Sequence, residues 1–187
     1  LRSGKKIRLT PEHPLLTIHG WQPVQEISDG TAIATPRKIT AFGQEFMKEC
    51  EIKLLAYLLA EGHTMRKVVW FTNADNAIID EFISSVKEFD ENLETKKMDK
   101  YGIRVVRNEE TRRYPKNRHS LRKLLITLGA YGVLAKEKTI PAKVFSLSKN
   151  KIALFLNRLF SCDGSIYFES KRWRISYSSA SERMARL

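Results

Sequence analysis

The feature that most limits how this chain folds is a repeat. Leu54-Leu55-Ala56-Tyr57-Leu58-Leu59-Ala60-Glu61-Gly62 has a counterpart, 102 residues later, in Leu156-Asn157-Arg158-Leu159-Phe160-Ser161-Cys162-Asp163-Gly164. Each reads as an apolar helical run that ends in an acid followed by glycine, and glycine suits a left-handed helix terminus. Strand-like sequence and a cappable helix start follow each run. Val69-Trp70-Phe71-Thr72-Asn73-Ala74-Asp75 resembles Ile175-Ser176-Tyr177-Ser178-Ser179-Ala180-Ser181. The repeat predicts an α+β domain of two helix-strand-strand-helix units related by a pseudo-twofold.

Periodicity fills in the rest. A strand is expected at 67–72. A helix follows, capped by Asn73 or Asp75, with Ile78, Ile79, Phe82, Ile83 and Val86 on one face and an end near Phe89. Residues 90–118 are charged and irregular, with a strand at 102–107. A helix over 120–128, capped by Ser120 or Asn117, stops at Gly129. Strands at 165–169 and 173–178 precede a last helix from about Ser181. Residues 1–45 have a different texture. Lys6-Ile7-Arg8-Leu9-Thr10 alternates as a strand does, and Pro11, Pro14, Gly20, Pro23, Gly30 and Pro36 exclude long helices. A stretch this short buries little core, so 1–45 reads as part of a larger β domain and 46–187 as the repeated α+β domain.

The charge is lopsided. Residues 1–50 hold 7 basic and 5 acidic side chains, whereas 51–187 hold 26 and 16. An excess of that kind suits a polyanion partner, or a basic surface kept for solubility. No run approaches the roughly 18–20 apolar residues of a spanning helix, so no membrane partner is expected. The start at Leu1, without an apolar leader, suits a processed or excised segment. Cys50 and Cys162 make neither a disulfide framework nor a four-cysteine zinc site, and a reducing cytoplasmic interior is expected.

The two acids break a local rule. A carboxylate in the last helical turn faces the negative end of the helix dipole, which costs about 0.3–1 kcal/mol. Terminal acids on ordinary core helices are one reading. The other is a site, because packed helices would bring Glu61 and Asp163 together, and adjacent carboxylates call for a proton or a cation between them. Mg²⁺ beside phosphates fits hard oxygen ligands, and metal-assisted phosphodiester hydrolysis follows. Ala56 and Ala60, four apart, would let the partner helix approach closely.

These residues resemble the paired motifs of the LAGLIDADG homing endonucleases. The resemblance implies that the two motif helices form a central interface. It implies Mg²⁺ at Glu61 and Asp163, and saddle-shaped sheets lying on double-stranded DNA. Lys138-Thr139-Ile140-Pro141 resembles the block that supplies an active-site lysine in intein-borne members, so Lys138 is the third catalytic candidate. Its ammonium would stabilise phosphorane charge or position water. Backbone contacts to DNA are expected from Arg104, Arg107, Arg112, Arg113, Lys116, Arg118, Arg122 and Lys123, unless that cluster is a solvated face. With two motifs in one chain, a monomer is expected.

The N-terminal stretch resembles the splicing (Hint) domain of inteins. Thr10-Pro11-Glu12-His13-Pro14, Gly20-Trp21 and Ala34-Thr35-Pro36-Arg37 carry that similarity. It implies that Thr10 and His13 activate a scissile peptide. Residues 138–164 are most similar to inteins hosted by bacterial replicative DNA helicases. The chain departs from these patterns in places. Arg158 stands where the endonuclease family usually has a small residue, so it either points away or loosens the helix crossing. Glu61 stands for the commoner aspartate. No Cys or Ser begins the chain, no His-Asn ends it, and the second repeat stops in its last helix. The expectation is a chain that does not splice and lacks a second catalytic lysine. A cleavage-inactive DNA- or RNA-binding module is the alternative.

Overall fold

The computed structural model describes residues 6–36, 42–65, 68–112 and 119–186, with the side chains of 111 and 112 undescribed. The chain divides into two compact units, Leu1–Ala41 and Phe42–Ala185.

The first unit is a hairpin of β1 (Pro14–Thr17) and β2 (Gly20–Pro23), followed by a 3-10 turn at Val24–Glu26. Gly20 follows the Ile18-His19 turn with φ +103°, the left-handed position of a turn closed by a bulge, which glycine supplies without strain. Thr17 lies under the turn with its hydroxyl 3.0 Å from Gly20 O. Residues 6–10 form no strand, contrary to their alternation. Ile7 is half exposed, and no described neighbour pairs with this segment. Alternation without a partner does not make a strand.

The second unit contains the repeat. Helix α1 (Glu49–Glu61), β3 (Gly62–His63), β4 (Val69–Thr72) and α2 (Asn76–Phe89) form the first pass. Strands β5 (Leu93–Lys97) and β6 (Gly102–Arg107) complete an antiparallel sheet in the order β3-β4-β6-β5. Short α3 (Glu109–Arg112), α4 (Ser120–Thr127), a 3-10 turn at Ala135–Glu137 and α5 (Ala142–Phe145) lead to the second pass. That pass is α6 (Lys149–Asp163), β7 (Gly164–Glu169), β8 (Arg172–Tyr177) and α7 (Glu182–Arg186).

Helix α1 is the centre of the core. Ile52 and Leu54 through Leu59 are all buried, because α6, α2 and the sheet enclose the helix. Burying such side chains stabilises by about 1.5–3 kcal/mol each. Strand β4 alternates Val69 and Phe71 inward with Trp70 and Thr72 outward, and Phe71 stacks on Phe82 of α2 at 4.6 Å. Asp75 caps α2 by accepting from Ala77 N at 2.8 Å.

Three local expectations change. Gly62 is extended (φ −84°, ψ 147°), not left-handed, and begins β3. Glycine is required there for space, since a Cβ would lie 2.4 Å from the Leu58 backbone. Gly164 repeats this, with a Cβ 2.4 Å from Phe160 O. Strand β5 falls in the stretch read as irregular. Its one buried apolar residue is Leu93, and the lysines Lys96 and Lys97 suit an exposed sheet edge. Helix α4 is capped by His119, whose Nδ1 accepts from Arg122 N at 3.4 Å while Nε2 faces Val105 O at 3.3 Å. Ser120 is the first residue of α4, and Asn117 lies outside the described residues.

Candidate active site

The C-terminal ends of α1 and α6 carry Glu61 and Asp163, and among the described residues these two helices pack against each other more extensively than any other pair. Both carboxyls are held above their ordinary range. For Glu61 burial is the main cause; Asp163's charge adds to it, while an Asn73 hydrogen bond and the Lys138 charge oppose it. For Asp163 burial raises and Lys138 opposes. Cys162, beside them, is pushed up to about 12 by burial and then by the two carboxylates.

Lys138 comes from the loop after the 3-10 turn and is almost fully buried. Its Nζ donates to Gly62 O at 2.9 Å, Leu58 O at 3.1 Å and Ala60 O at 3.3 Å. The ammonium therefore bonds carbonyls at the helix end, sharing that of Leu58 with the Gly62 N–H, and offsets the negative dipole end beneath Glu61. Burial lowers its pKa, and both carboxylates oppose that. Its backbone is held by Ser181, whose Oγ donates to Lys138 O at 2.6 Å and accepts from Met184 N at 3.3 Å. Lys138 thus joins the end of the first motif helix to the start of α7.

Arg158 reaches from α6 to α2, beside the side chains of Tyr57 and Lys53 of α1. Its Nε and Nη2 each donate to Glu81 of α2 at 2.6 Å. Tyr57 OH also donates to Glu81, and Lys53 Nζ lies 3.3 Å from it. One acid thereby fastens α1, α2 and α6. Sequence reading did not find Glu81.

Can these residues hold Mg²⁺? Among the described residues there is no group of three or more His, Cys, Asp and Glu suited to a metal. Two carboxylates with no ion-pair partner among the described residues do suit an ion that keeps waters and takes its other ligands from a phosphate. The donor set fits Mg²⁺ in that mode and no closed all-protein site.

Among the described residues, the predicted DNA contacts come from the first sheet and from α4. Arg104 lies on the outward face of the first sheet, paired with Trp70 on one side and Lys96 on the other. His63 extends this row, its ring 4.7 Å from that of Trp70. Arg107 has the parity of the inward-facing Ile103 and Val105. Arg122 lays its guanidinium over the Tyr131 ring at 5.2 Å, and Lys123 is exposed on α4. The Arg112 side chain, Arg113, Lys116 and Arg118 lie outside the described residues. The second hairpin presents Ser165 with Ser176, Tyr167 with Arg174 and Glu169 with Arg172 on one face. Sequence reading assigned His63 and Trp70 no place; for Trp70 the inward-outward alternation of β4 was the available signal. In the first unit, Thr10 O accepts from His13 N at 3.1 Å, so the two sit in one exposed turn.

Comparison with known proteins bears on the second repeat directly. Residues 150–186 match the LAGLIDADG-like domain. Replicative DNA helicase DnaB of Nostoc sp. is 32% identical over 190 residues, covering 98% of this chain and 22% of the relative. DnaB of Synechocystis sp. is 28% identical over 99% of this chain and 22% of the relative. Protein RecA of Mycobacterium tuberculosis is 26% identical over 99% of this chain and 23% of the relative. The chain spans about a fifth of the length of these relatives. No helix among the described residues is long and apolar enough to cross a membrane.

Proposed function

We propose that this chain is part of an intein and carries a site-specific, Mg²⁺-dependent endonuclease for double-stranded DNA. The observation that carries the reading is the pair of carboxylates at the abutting ends of α1 and α6, above a buried ammonium. The LAGLIDADG-like match over α6, β7 and β8 supports it. So does the range of relatives. One stretch of about this length makes up a minor part of proteins named as a helicase and as RecA, as a segment inserted into unlike hosts would.

In this reading Glu61 and Asp163 hold Mg²⁺, which supplies Lewis acidity at the scissile phosphate. Lys138 keeps the end of α1 in place and adds positive charge where phosphate charge develops. The outward face of the first sheet, with His63, Trp70, Lys96 and Arg104, lies on DNA together with the polar face of the second hairpin. Thr10 and His13 belong to the splicing block of the first unit. The test is strand nicking of plasmid bearing the intein-free host gene, with and without Mg²⁺. Parent chain should nick, and Glu61→Gln and Asp163→Asn should not. DNA binding without Mg²⁺-dependent nicking would favour the alternative, a binding module. The engagement of Lys138 by three carbonyls favours that second reading.

A further inference from the structure

We propose that Asn73 is a positioning residue for Glu61, and that the chain therefore holds its two motif carboxylates unequally. This rests on the reading that both bind a divalent metal.

Asn73 follows β4 and is fixed before it reaches Glu61. Its backbone N donates to Tyr101 O at 3.1 Å. Its Oδ1 accepts from Asp75 N at 2.8 Å, which orients the amide so that Nδ2 faces the site. Nδ2 donates to Glu61 Oε2 at 2.5 Å and lies 3.9 Å from Cys162 Sγ. Glu61 is thus held by a group that is itself held, and its other oxygen remains available as a ligand.

The repeat places Ser179 where Asn73 stands in the first pass. Ser179 makes the same turn, its Oγ accepting from Ser181 N at 3.1 Å. The hydroxyl carries no amide arm beyond that bond. Near Asp163 the bond made is to the backbone, Ser178 N donating to Asp163 O at 3.1 Å. Among the described residues no side chain donates to the Asp163 carboxylate. One repeat has a turn with a reaching arm; the other has the turn alone. Partners of this kind change metal affinity or activity by roughly 10–100-fold.

Two reciprocal variants test the assignment. Asn73→Ser keeps the turn bond and removes the arm; Ser179→Asn supplies an arm to the second repeat. Mg²⁺ is titrated into the ¹³C-labelled chain, and the side-chain carboxyl ¹³C shifts of Glu61 and Asp163 report each carboxylate separately. In the parent, the Glu61 carboxyl should shift at lower Mg²⁺ than that of Asp163. Asn73→Ser should raise the Glu61 midpoint about tenfold with Asp163 unmoved. Ser179→Asn should lower the Asp163 midpoint. On strand-labelled duplex, Asn73→Ser should slow one strand and spare the other. Equal midpoints in the parent, or equal effects on both carboxyls in the variants, would overturn the assignment while the metal reading stands. A shift of neither carboxyl would remove both. Should Asn73→Ser not fold, Ser179→Asn alone decides.

Discussion

Removing Arg158 tests whether Glu81 is the fastener of the helical core. Two 2.6 Å bonds join Arg158 to Glu81, each side chain about a quarter exposed. Burial by itself would raise the Glu81 pKa. Hydrogen bonds from Arg158 and Tyr57, the Arg158 charge and Lys53 outweigh it, and take the carboxyl from 4.5 down to about 2. At 1.36 kcal/mol per unit that depression is worth roughly 3 kcal/mol of folding free energy. The sign follows from the direction. A carboxyl with a lowered folded pKa contributes fully above its unfolded value of about 4.5, and the contribution is lost as pH falls toward about 2. Arg158→Met keeps the stem and removes the charge. It should lower stability at pH 7 by about 2–3 kcal/mol, less than a fully buried broken pair because Tyr57 and Lys53 remain. Urea unfolding followed by circular dichroism, at several pH values from 2.5 to 7, gives the difference between parent and variant. That difference should shrink below pH 4.5; Glu61 and Asp163 are common to both chains and cancel. The double variant with Glu81→Gln should show coupling above about 1 kcal/mol. Coupling below about 0.3 kcal/mol, or parallel curves from pH 4.5 to 2.5, would refute the clamp.

Glu61→Gln and Asp163→Asn should each raise the melting temperature at pH 7 while abolishing nicking. Carboxyls with raised folded pKa values lose stability as pH rises past their unfolded values, so neutral replacements remove a cost. Thermal melts at pH 4 and pH 7 check this, the gain being smaller at pH 4. Lys138→Met should destabilise by about 2–4 kcal/mol in denaturant titration, because carbonyls of Leu58, Ala60 and Gly62 lose a charged donor. Gly62→Ala should cost about 1–3 kcal/mol, since a Cβ there meets the Leu58 backbone at 2.4 Å. Arg104→Ala should make the slope of log affinity against log salt shallower by about 1 in DNA-binding titrations, whereas Lys123→Ala should leave it unchanged.

Much of the second unit was legible along the chain. Helices α1, α2 and α6 show in their apolar spacing, and the matched acid-glycine ends mark the candidate site. Strand β5 was not legible, because Glu94, Lys96 and Lys97 carry the charge of an edge and leave little apolar alternation. The segment 6–10 misled in the other direction, alternating without a strand to pair with. His119 drew no role from its sequence context; capping α4 depends on Val105 being beside it.

Local pattern alone determined that two apolar helices would end in carboxylates and that each would be followed by a hairpin. Those features follow from residue-by-residue spacing, which a linear chain displays openly. Tertiary structure decided which distant groups meet those ends. Lys138 reaches carbonyls 76 to 80 residues away, Arg158 turns to Glu81 across 77, and Asn73 alone of the repeated pair extends an arm to its acid. A helix end fixes where its open carbonyls and carboxylate lie. Which side chain fills that space depends on how the elements pack, and periodicity carries no record of it.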